Sequence, residues 1–316
     1  MITSFLMLCL MGSGAPATYF YADGPALMRA QLSLTEVVGS GAHEVRPLKV
    51  SQVRLSGYLV FHDQAFGQAL AISCRQEPLR TDEVKACDVF HIDRAGRALP
   101  LSVRAISAYL LPNDRFAFWT EGLELRSRAL GGGPETVHAR GVIDPQPSAD
   151  RLRFGVAHVP ALSRFEPGFD ACPAVIELAS QTSEPTRVPG PCQAAAPFIS
   201  PDGAHLFVST AGGMAAFWTQ QRSAPAVQRT QLGVTELNSS FVPVAGRELV
   251  WVTDTLALYT ADYDERALWT FDVISGQHAR IALGGAAAWV EDSSTGRRAV
   301  VAVEGHRLLQ LFGAKR

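Results

Sequence analysis

Apolar residues in this chain recur with a period of two, and this alternation constrains the fold more than any other feature. Every second residue is apolar in Met28-Arg29-Ala30-Gln31-Leu32-Ser33-Leu34-Thr35, and the pattern returns in Val53-Arg54-Leu55 and in residues 248–253. Successive side chains of a strand point to opposite faces, so these segments predict strands with one face in a core. Helical spacing is not sustained for three turns after residue 17, and Gly and Pro recur too often for long helices. The sequence predicts an all-β fold.

Similar segments recur at intervals in the forties. Residues 198–203 (Phe-Ile-Ser-Pro-Asp-Gly) lead into an apolar run at 206–208, and a related segment starts 43 residues later at Phe241. A third version starts 48 residues further on, at Trp289. The triplets beginning at Phe118, Phe217 and Leu268 each continue with Trp-Thr, and their tryptophans are expected to pack between elements. Intervals of this length are typical of one four-stranded propeller blade.

A known repeat matches part of this pattern. Residues 198–209 resemble the S-P-D-G turn and following strand of the TolB-type, WD40-like propeller repeats of secreted bacterial proteins, and residues 268–277 resemble the third strand and exit turn of such a blade. Pro201 presets φ for a turn, and Gly203 supplies the positive φ that reverses the chain. The resemblance extends over residues 196–303 and implies a β-propeller. The Gly-His and Trp-Asp dipeptides of WD40 blades are absent, so their protein-docking residues are not carried over.

Counting outward from these repeats predicts one domain over residues 18–316 with six blades. They fall near residues 51–103, 104–148, 149–193, 194–236, 237–284 and 285–316. The last segment is too short for four strands. Because a ring leaves no open sheet edge, the strand at 28–35 is expected to complete that blade. A seventh blade follows if residues 18–50 form more than a closing strand.

Charge and composition exclude two classes of protein. The chain has 28 Lys and Arg against 30 Asp and Glu, a net charge of -2, whereas a nucleic-acid binder has a basic excess. With 47% hydrophobic residues it is too apolar to be disordered. The sequence therefore predicts a globular protein with no nucleic-acid partner.

The first 17 residues have the pattern of a secretory signal peptide. An apolar run from Phe5 to Met11 precedes Ala15-Pro16-Ala17, whose small residues suit signal peptidase. Cleavage after Ala17 and a periplasmic or extracellular location are expected. The run is too short to cross a bilayer, and no later apolar stretch is long enough, so no membrane span is predicted. A buried N-terminal strand is the alternative, because no Lys or Arg precedes Phe5, whereas Leu8 disfavours a lipid anchor on Cys9.

Four cysteines remain beyond this segment: Cys74, Cys87, Cys172 and Cys192. An even set in an exported chain predicts disulfides. The local pairing, Cys74 with Cys87 and Cys172 with Cys192, is favoured because each pair brackets one polar, Pro-containing loop between apolar runs. Zinc binding is the competing use, and it is disfavoured because no C-x-x-C or H-x-x-x-H spacing occurs.

Linear motifs for catalysis or cofactor binding are absent. The sequence has no G-x-S-x-G elbow, no P-loop and no G-x-G-x-x-G after a strand, so no catalytic residue and no cofactor are predicted. Gly131-Gly132-Gly133 is expected to be a flexible loop. Asp262-Tyr263-Asp264-Glu265 is interpreted as a solvated acidic turn rather than a calcium site, because its ligand spacing is incomplete and Arg266 follows. No metal site is predicted.

These observations favour a secreted, non-catalytic β-propeller that binds a protein or glycan partner through its loops. The alternative is a propeller enzyme, such as a metal-dependent lactonase or a sugar-active hydrolase. A propeller can assemble a site around its central channel from one residue per blade, and such a site leaves no linear motif.

Overall fold

A computed structural model of the chain describes residues 16–34, 41–76, 85–159, 171–178, 185–188, 197–203, 205–209, 215–221, 224–229, 249–261, 267–272, 274–275, 277–283, 288–293, 296–303 and 307–312. All regular structure in these residues is β, in 27 strands. The described part has no helix of the length and hydrophobicity needed to cross a membrane.

The N-terminal region forms four strands: β1 (Ala17–Asp23), β2 (Ala26–Leu32), β3 (Gly41–Val45) and β4 (Pro47–Val53). Three of them form an antiparallel sheet in the order β1-β2-β4. β3 does not join this sheet, and it pairs with the last strand of the chain.

Six four-stranded sheets contain the other described strands, and in five of them the strands lie side by side in chain order. The first three are β5 (Tyr58–Ala65), β6 (Gln68–Cys74), β7 (Cys87–Ile92) and β8 (Ala98–Ala105); β9 (Ser107–Leu111), β10 (Arg115–Trp119), β11 (Glu124–Ala129) and β12 (Thr136–Arg140); and β13 (Val142–Pro147), β14 (Arg153–His158), β15 (Cys172–Glu177) and β16 (Thr186–Arg187).

The other three are β17 (Phe198–Ile199), β18 (His205–Ser209), β19 (Ala215–Gln221) and β20 (Ala224–Arg229); β21 (Leu249–Trp251), β22 (Leu256–Ala261), β23 (Ala267–Asp272) and β24 (His278–Leu283); and β25 (Ala288–Ser293), β26 (Gly296–Val303) and β27 (Arg307–Phe312), which β3 completes.

The sheets are arranged as the blades of a β-propeller. First strands of neighbouring blades contact each other, as β5 does with β9, β13 with β17 and β17 with β21, and β25 returns to contact β5. The three-stranded sheet packs against the blade β5–β8 through Phe20 and Leu27, and against the last blade through Tyr19 and Leu32. The ring is therefore built from consecutive meanders, with the N-terminal sheet between its last and first four-stranded blades.

Three aromatic rings from successive blades pack against one another. Tyr109 lies between Phe61 and Phe154, with ring centroids 5.4 and 5.5 Å away in edge-on geometry. All three belong to the largest buried cluster, which spans the blades β5–β8, β9–β12 and β13–β16. Trp119 adds a polar link, because its Nε1 donates to the carbonyl of Val142 at 2.8 Å, across a blade boundary.

The prediction of a β-propeller is confirmed, and each of the six predicted segments contains one four-stranded sheet or most of one. The six predicted blades correspond to the six four-stranded sheets, and residues 17–53 form a three-stranded sheet in addition to a closing strand, which meets the condition stated above for a seventh blade. The predicted closing strand, 28–35, was wrong. Ala30 and Leu32 are buried within the three-stranded sheet, and it is β3 that pairs with β27, from Val45 opposite Leu308 to Gly41 opposite Phe312.

The triplets that begin at Phe118, Phe217 and Leu268 lie at different strand positions in the structure, although each falls in the expected blade. Trp119 ends β10, the second strand of its blade, whereas Trp218 and Trp269 lie in β19 and β23, the third strands of theirs. An apolar residue before a tryptophan suits any inward-facing strand position, so the triplet alone does not fix the strand.

Candidate functional site

One of the two predicted cysteine pairs, Cys74 with Cys87, is present in the structure. Cys74 and Cys87 form a disulfide with a Cα–Cα distance of 5.0 Å, joining the end of β6 to the start of β7. Cys172 is also disulfide-bonded. Its predicted partner, Cys192, lies outside the described residues.

The other sequence candidates do not converge. The acidic segment at 262–265 lies outside the described residues. Gly131, Gly132 and Gly133 form an open turn between β11 and β12, where an added Cβ would meet no atom within 4 Å. Among the residues that the structure describes, no three or more His, Cys, Asp or Glu side chains are grouped so that they could hold a metal ion.

A polar site that sequence reasoning missed starts at the turn between β13 and β14. Ser148 donates its Oγ hydrogen to Asp150 Oδ1 at 2.5 Å, and the same Oγ accepts from the Arg153 amide at 3.1 Å. Ser200 in the predicted S-P-D-G turn does the same, with Asp202 at 2.6 Å and the His205 amide at 2.8 Å. Residues 148–151 (Ser-Ala-Asp-Arg) are thus a second copy of that turn.

The two copies differ at the position that needs a positive φ. Gly203 occupies it in one turn with φ +73°, and Arg151 occupies it in the other with φ +59°. A non-glycine residue in this region costs on the order of 1 kcal/mol and persists only where its surroundings hold it.

Arg151 is held by a buried ion pair with a different blade. Its side chain is 9% exposed and that of Asp63, near the end of β5, is 0% exposed. Nη1 donates to Asp63 Oδ2 at 2.5 Å, and Nη2 donates to Oδ1 at 3.2 Å. Nη1 also donates to the Leu110 carbonyl and Nη2 to the Gln64 carbonyl, both at 2.9 Å.

The network continues into two further elements. The Leu110 amide, in β9, donates to Asp63 Oδ2 at 2.9 Å. The Gln64 side chain is bonded to both backbone groups of Phe20 in β1, at 2.7 and 2.8 Å. These contacts connect the N-terminal sheet with three successive blades. We call Asp63, Gln64, Leu110 and Arg151 the channel mouth, because they lie at or just after the ends of β5, β9 and β13, the first strands of these blades.

Electrostatics at the channel mouth favours a fixed, charged cluster. Burial lowers the pKa of Arg151 to about 10, which still leaves the guanidinium protonated at neutral pH. Its charge faces the Asp63 carboxylate in a bidentate arrangement, the geometry in which Arg pairs are strongest. Since Arg151 also donates to two backbone carbonyls and Asp63 accepts from a backbone amide, the cluster orders the turns around it.

Two large apolar side chains project from these turns. Phe66 follows β5 directly and is 51% exposed, and Leu152 follows Arg151 and is 50% exposed. Arg151 Nη2 donates to the carbonyl of Gln64. Leu152 directly follows the donor residue, and Phe66 lies two residues after the acceptor, so this hydrogen bond joins the two turns that carry these side chains. We call Phe66 and Leu152 the apolar tips.

The backbone of Phe66 is held in a conformation that phenylalanine rarely adopts. Its φ is +55°, and its carbonyl accepts a hydrogen bond from Arg94 Nε at 3.3 Å. The carbonyl of Arg94 in turn accepts from Arg29 Nη2 at 2.6 Å. Strained positions of this kind concentrate at functional sites, where the surrounding structure maintains the strain.

Another non-glycine residue with a positive φ lies on β13. Asp144 has φ +48° at the irregularity between Ile143 and Gln146, and Gln146 Nε2 donates to its carboxylate at 2.7 Å. Burial raises the pKa of Asp144 to about 6. Its charge adds to the effect of burial in raising the pKa of Tyr109, which places the two groups in one electrostatic environment.

Comparison with known proteins identifies the fold only. No protein-family model matches the chain, and no curated protein is similar to it in sequence. Among solved structures, YCF48 bound to D1 peptide has a TM-score of 0.56 at 11% identity, covering 96% of this chain and 93% of that chain. The Cps50 (Swd1) β-propeller domain of Myceliophteria thermophila has a TM-score of 0.51 at 10% identity, covering 96% and 98%.

The tricorn protease gives the same TM-score of 0.51 at 10% identity, but this chain covers only 34% of its length. At such identities the similarity establishes a shared architecture and nothing about activity. By fold, the chain is a β-propeller.

Proposed function

We propose that this protein is a secreted, non-catalytic propeller that binds a protein partner at the channel mouth, with the apolar tips as its anchors. The observation that carries the proposal is the pairing of two half-exposed apolar side chains, Phe66 at 51% and Leu152 at 50%, with a buried ion pair that fixes the turns beneath them.

Rigid apolar anchors favour protein recognition. A partner that covers Phe66 and Leu152 gains free energy from burial, and aromatic residues such as Phe are enriched at interfaces relative to the rest of the surface. Because the turns are already fixed by Arg151, little conformational entropy is lost on binding. These features support a protein partner over a glycan partner.

Similar architectures add indirect support. YCF48 is a propeller whose structure was solved with a bound D1 peptide. Its identity to this chain is 11%, so it supports peptide binding as a use of the architecture and identifies no partner.

Export belongs to the same proposal. The apolar run at 5–11 and the small residues 15–17 support a cleaved signal peptide, and the disulfides suit an oxidising compartment. The S-P-D-G turn and the missed Ser148–Arg151 copy support membership of the TolB-type repeat family.

Intact mass spectrometry tests export. The protein from its native cells is expected to be a chain starting at Thr18, and a mass that retains residues 1–17 would contradict export with cleavage.

Site-specific photocrosslinking tests the binding site. A benzoylphenylalanine in place of Phe66 or Leu152, expressed in the cells that naturally make the protein, is expected to capture the same partner from both positions. Ile274 is a matched control, since it is 68% exposed on a turn of another blade. The double variant Phe66→Asp/Leu152→Asp is expected to lose the partner at least tenfold while keeping its circular dichroism spectrum. Equal capture from positions 66 and 274, or no capture from position 66, would show that the channel mouth is not the binding site.

A further inference from the structure

A second binding surface lies on the N-terminal sheet, away from the channel mouth. We propose that the outer edge of β4 takes up an extended segment of a protein partner, rich in acidic and apolar residues, as a fourth strand. The surface consists of residues 46–58 and is called the β4 edge. The proposal is independent of the proposed function, because the two surfaces share no residue.

The sheet is one strand short. β4 pairs with β2 from Val53 opposite Leu27 to Pro47 opposite Leu32, with one register irregularity at Leu48. On its other side no strand of the described part of the chain pairs with it, whereas each of the other six sheets has four strands. Backbone donors and acceptors on such an edge are a template for an added strand.

Two of the other outermost strands, β8 and β16, are less suited to this use. β8 is interrupted at Ser102, whose φ is +53°, and β16 has only two residues. Interruptions and short length are common ways to prevent pairing at an edge. β4 has seven residues, none of which has a positive φ.

The side chains of β4 define the chemistry of its partner. Leu48 is 62% exposed and Val50 is 41% exposed, and both lie in the exposed first half of the strand. Arg46, Lys49 and Arg54 are the charged residues of the β4 edge, which contains no Asp or Glu. These three form no ion pair among the described residues. The edge is therefore apolar and basic, and its complement is apolar and acidic.

The same charges argue against a second copy of the chain as the occupant. Two β4 strands that paired edge to edge would bring Lys49 and its neighbours near one another, and like charges across a strand pair are destabilising. Lysine on an edge strand is a recognised device against self-association.

A pocket at the end of β4 can take an anchor side chain. It has a volume of about 230 Å³ and combines polar with apolar surface, and its lining residues are Pro25, Ala26, Leu27, Gln52, Val53, Leu55, Gly57 and Tyr58. Tyr58 is 40% exposed at this pocket. Val53 is also the last residue of β4, so a strand on the edge reaches the pocket directly. Recognition by strand addition combines backbone bonds for affinity with such pockets for specificity.

Fluorescence anisotropy with synthetic nine-residue peptides tests the proposal. The probe alternates glutamate with valine or leucine, and the control peptide replaces glutamate by lysine. The acidic probe is expected to bind the full chain, and the basic control at least tenfold more weakly. Charge reversal in Lys49→Glu/Arg54→Glu is expected to weaken the acidic probe tenfold and to strengthen the basic one.

Backbone pairing is tested separately from general hydrophobic attraction. N-methylation of alternate amides on one edge of the probe is expected to abolish binding, whereas methylation on the opposite edge is tolerated. Leu48→Asp is expected to weaken the probe, and Leu99→Asp, at a 49% exposed leucine on β8, is the matched control. Melting curves verify that each variant is folded.

Several outcomes would overturn the proposal. They are no binding of the acidic probe, equal loss with both methylation patterns, or equal effects of Leu48→Asp and Leu99→Asp. Dimerisation that Leu48→Asp abolishes would make a second copy the occupant. Binding only after removal of residues 1–15 would assign the edge to the chain's own N-terminal segment. None of these outcomes bears on photocrosslinking at Phe66.

Discussion

Arg151 combines two features that are individually unfavourable, a buried guanidinium and a backbone in the left-handed region. Each persists because of the other. The positive φ directs the side chain into the ring, where Asp63 and two carbonyls satisfy it. Removing one partner of a buried ion pair leaves an uncompensated buried charge, and this destabilises the folded state more than replacing both partners by apolar residues.

Arg151→Met is therefore expected to lower the free energy of unfolding by about 3–5 kcal/mol, because Asp63 stays buried without its counter-ion. Urea denaturation measures this change. Adding Asp63→Leu to Arg151→Met is expected to recover part of the loss. Arg153→Ala is the control on the same turn, since its bond to Asp150, at 3.3 Å, is partly exposed. Equal effects of the substitutions at 151 and 153 would contradict the role of the buried pair.

Asp144 is expected to make stability depend on pH. Its pKa in the folded protein is about 6, above the value of about 3.9 for an unfolded chain. The folded state thus binds the proton more tightly, so the contribution of Asp144 to stability is fully present below pH 4 and is lost as pH rises through 6. The loss is about 3 kcal/mol.

Asp144→Asn removes this dependence. Relative to the unsubstituted protein, the variant is expected to gain about 2 kcal/mol of unfolding free energy between pH 4.5 and pH 7.5, because only the carboxyl must ionise in this partly buried site. Chemical denaturation at both pH values measures the difference. A constant difference between the two proteins across this range would show that Asp144 titrates normally.

At the scale of elements, local patterns predict strands and turns better than their partners. The Ser200-Pro201-Asp202-Gly203 turn was predictable because its hydrogen bonds are all within six residues. The Ser148–Arg151 copy was missed because arginine replaces glycine at the position that usually signals the turn. The side chain of Arg151 in this turn contacts Asp63, which lies 88 residues away in the sequence, and local sequence patterns do not predict contacts at this distance.

Contacts between blades have the same long-range character, and Gly155 on β14 is an example. A Cβ at this position would lie 1.7 Å from the carbonyl oxygen of Pro197, just before β17. Gly155→Ala is expected to cost 2 kcal/mol or more, roughly the range for overpacking, since backbone must move apart. Gly131→Ala is the matched control, because an added Cβ there meets no atom within 4 Å. Equal melting temperatures for the two variants would place β14 and β17 further apart than the structure does.

For the whole molecule, the closure of the ring was the least predictable feature. Alternation in 28–35 gives a strong strand signal, and that strand does form, as β2 (Ala26–Leu32). Which strand completes the last blade depends on a partner near the other end of the chain. β3 is the strand that completes the last blade, although Val45 is its only buried side chain among the described ones. Its backbone pairs with all but the first residue of β27.

Val45→Asp tests whether this closure stabilises the entire ring. Val45 is 7% exposed and packs with Tyr21 and Leu308, so a carboxylate there is buried beside apolar side chains. We expect a loss of about 3–5 kcal/mol. Val50→Asp, at 41% exposure on β4, is expected to cost less than about 1 kcal/mol.

Hydrogen exchange distinguishes local from global effects of Val45→Asp. Opening of the ring is expected to expose amides of β1, β2 and β27 together, whereas fraying of β3 alone exposes β27 only. The second pattern would mean that the N-terminal sheet is held independently of the closing strand.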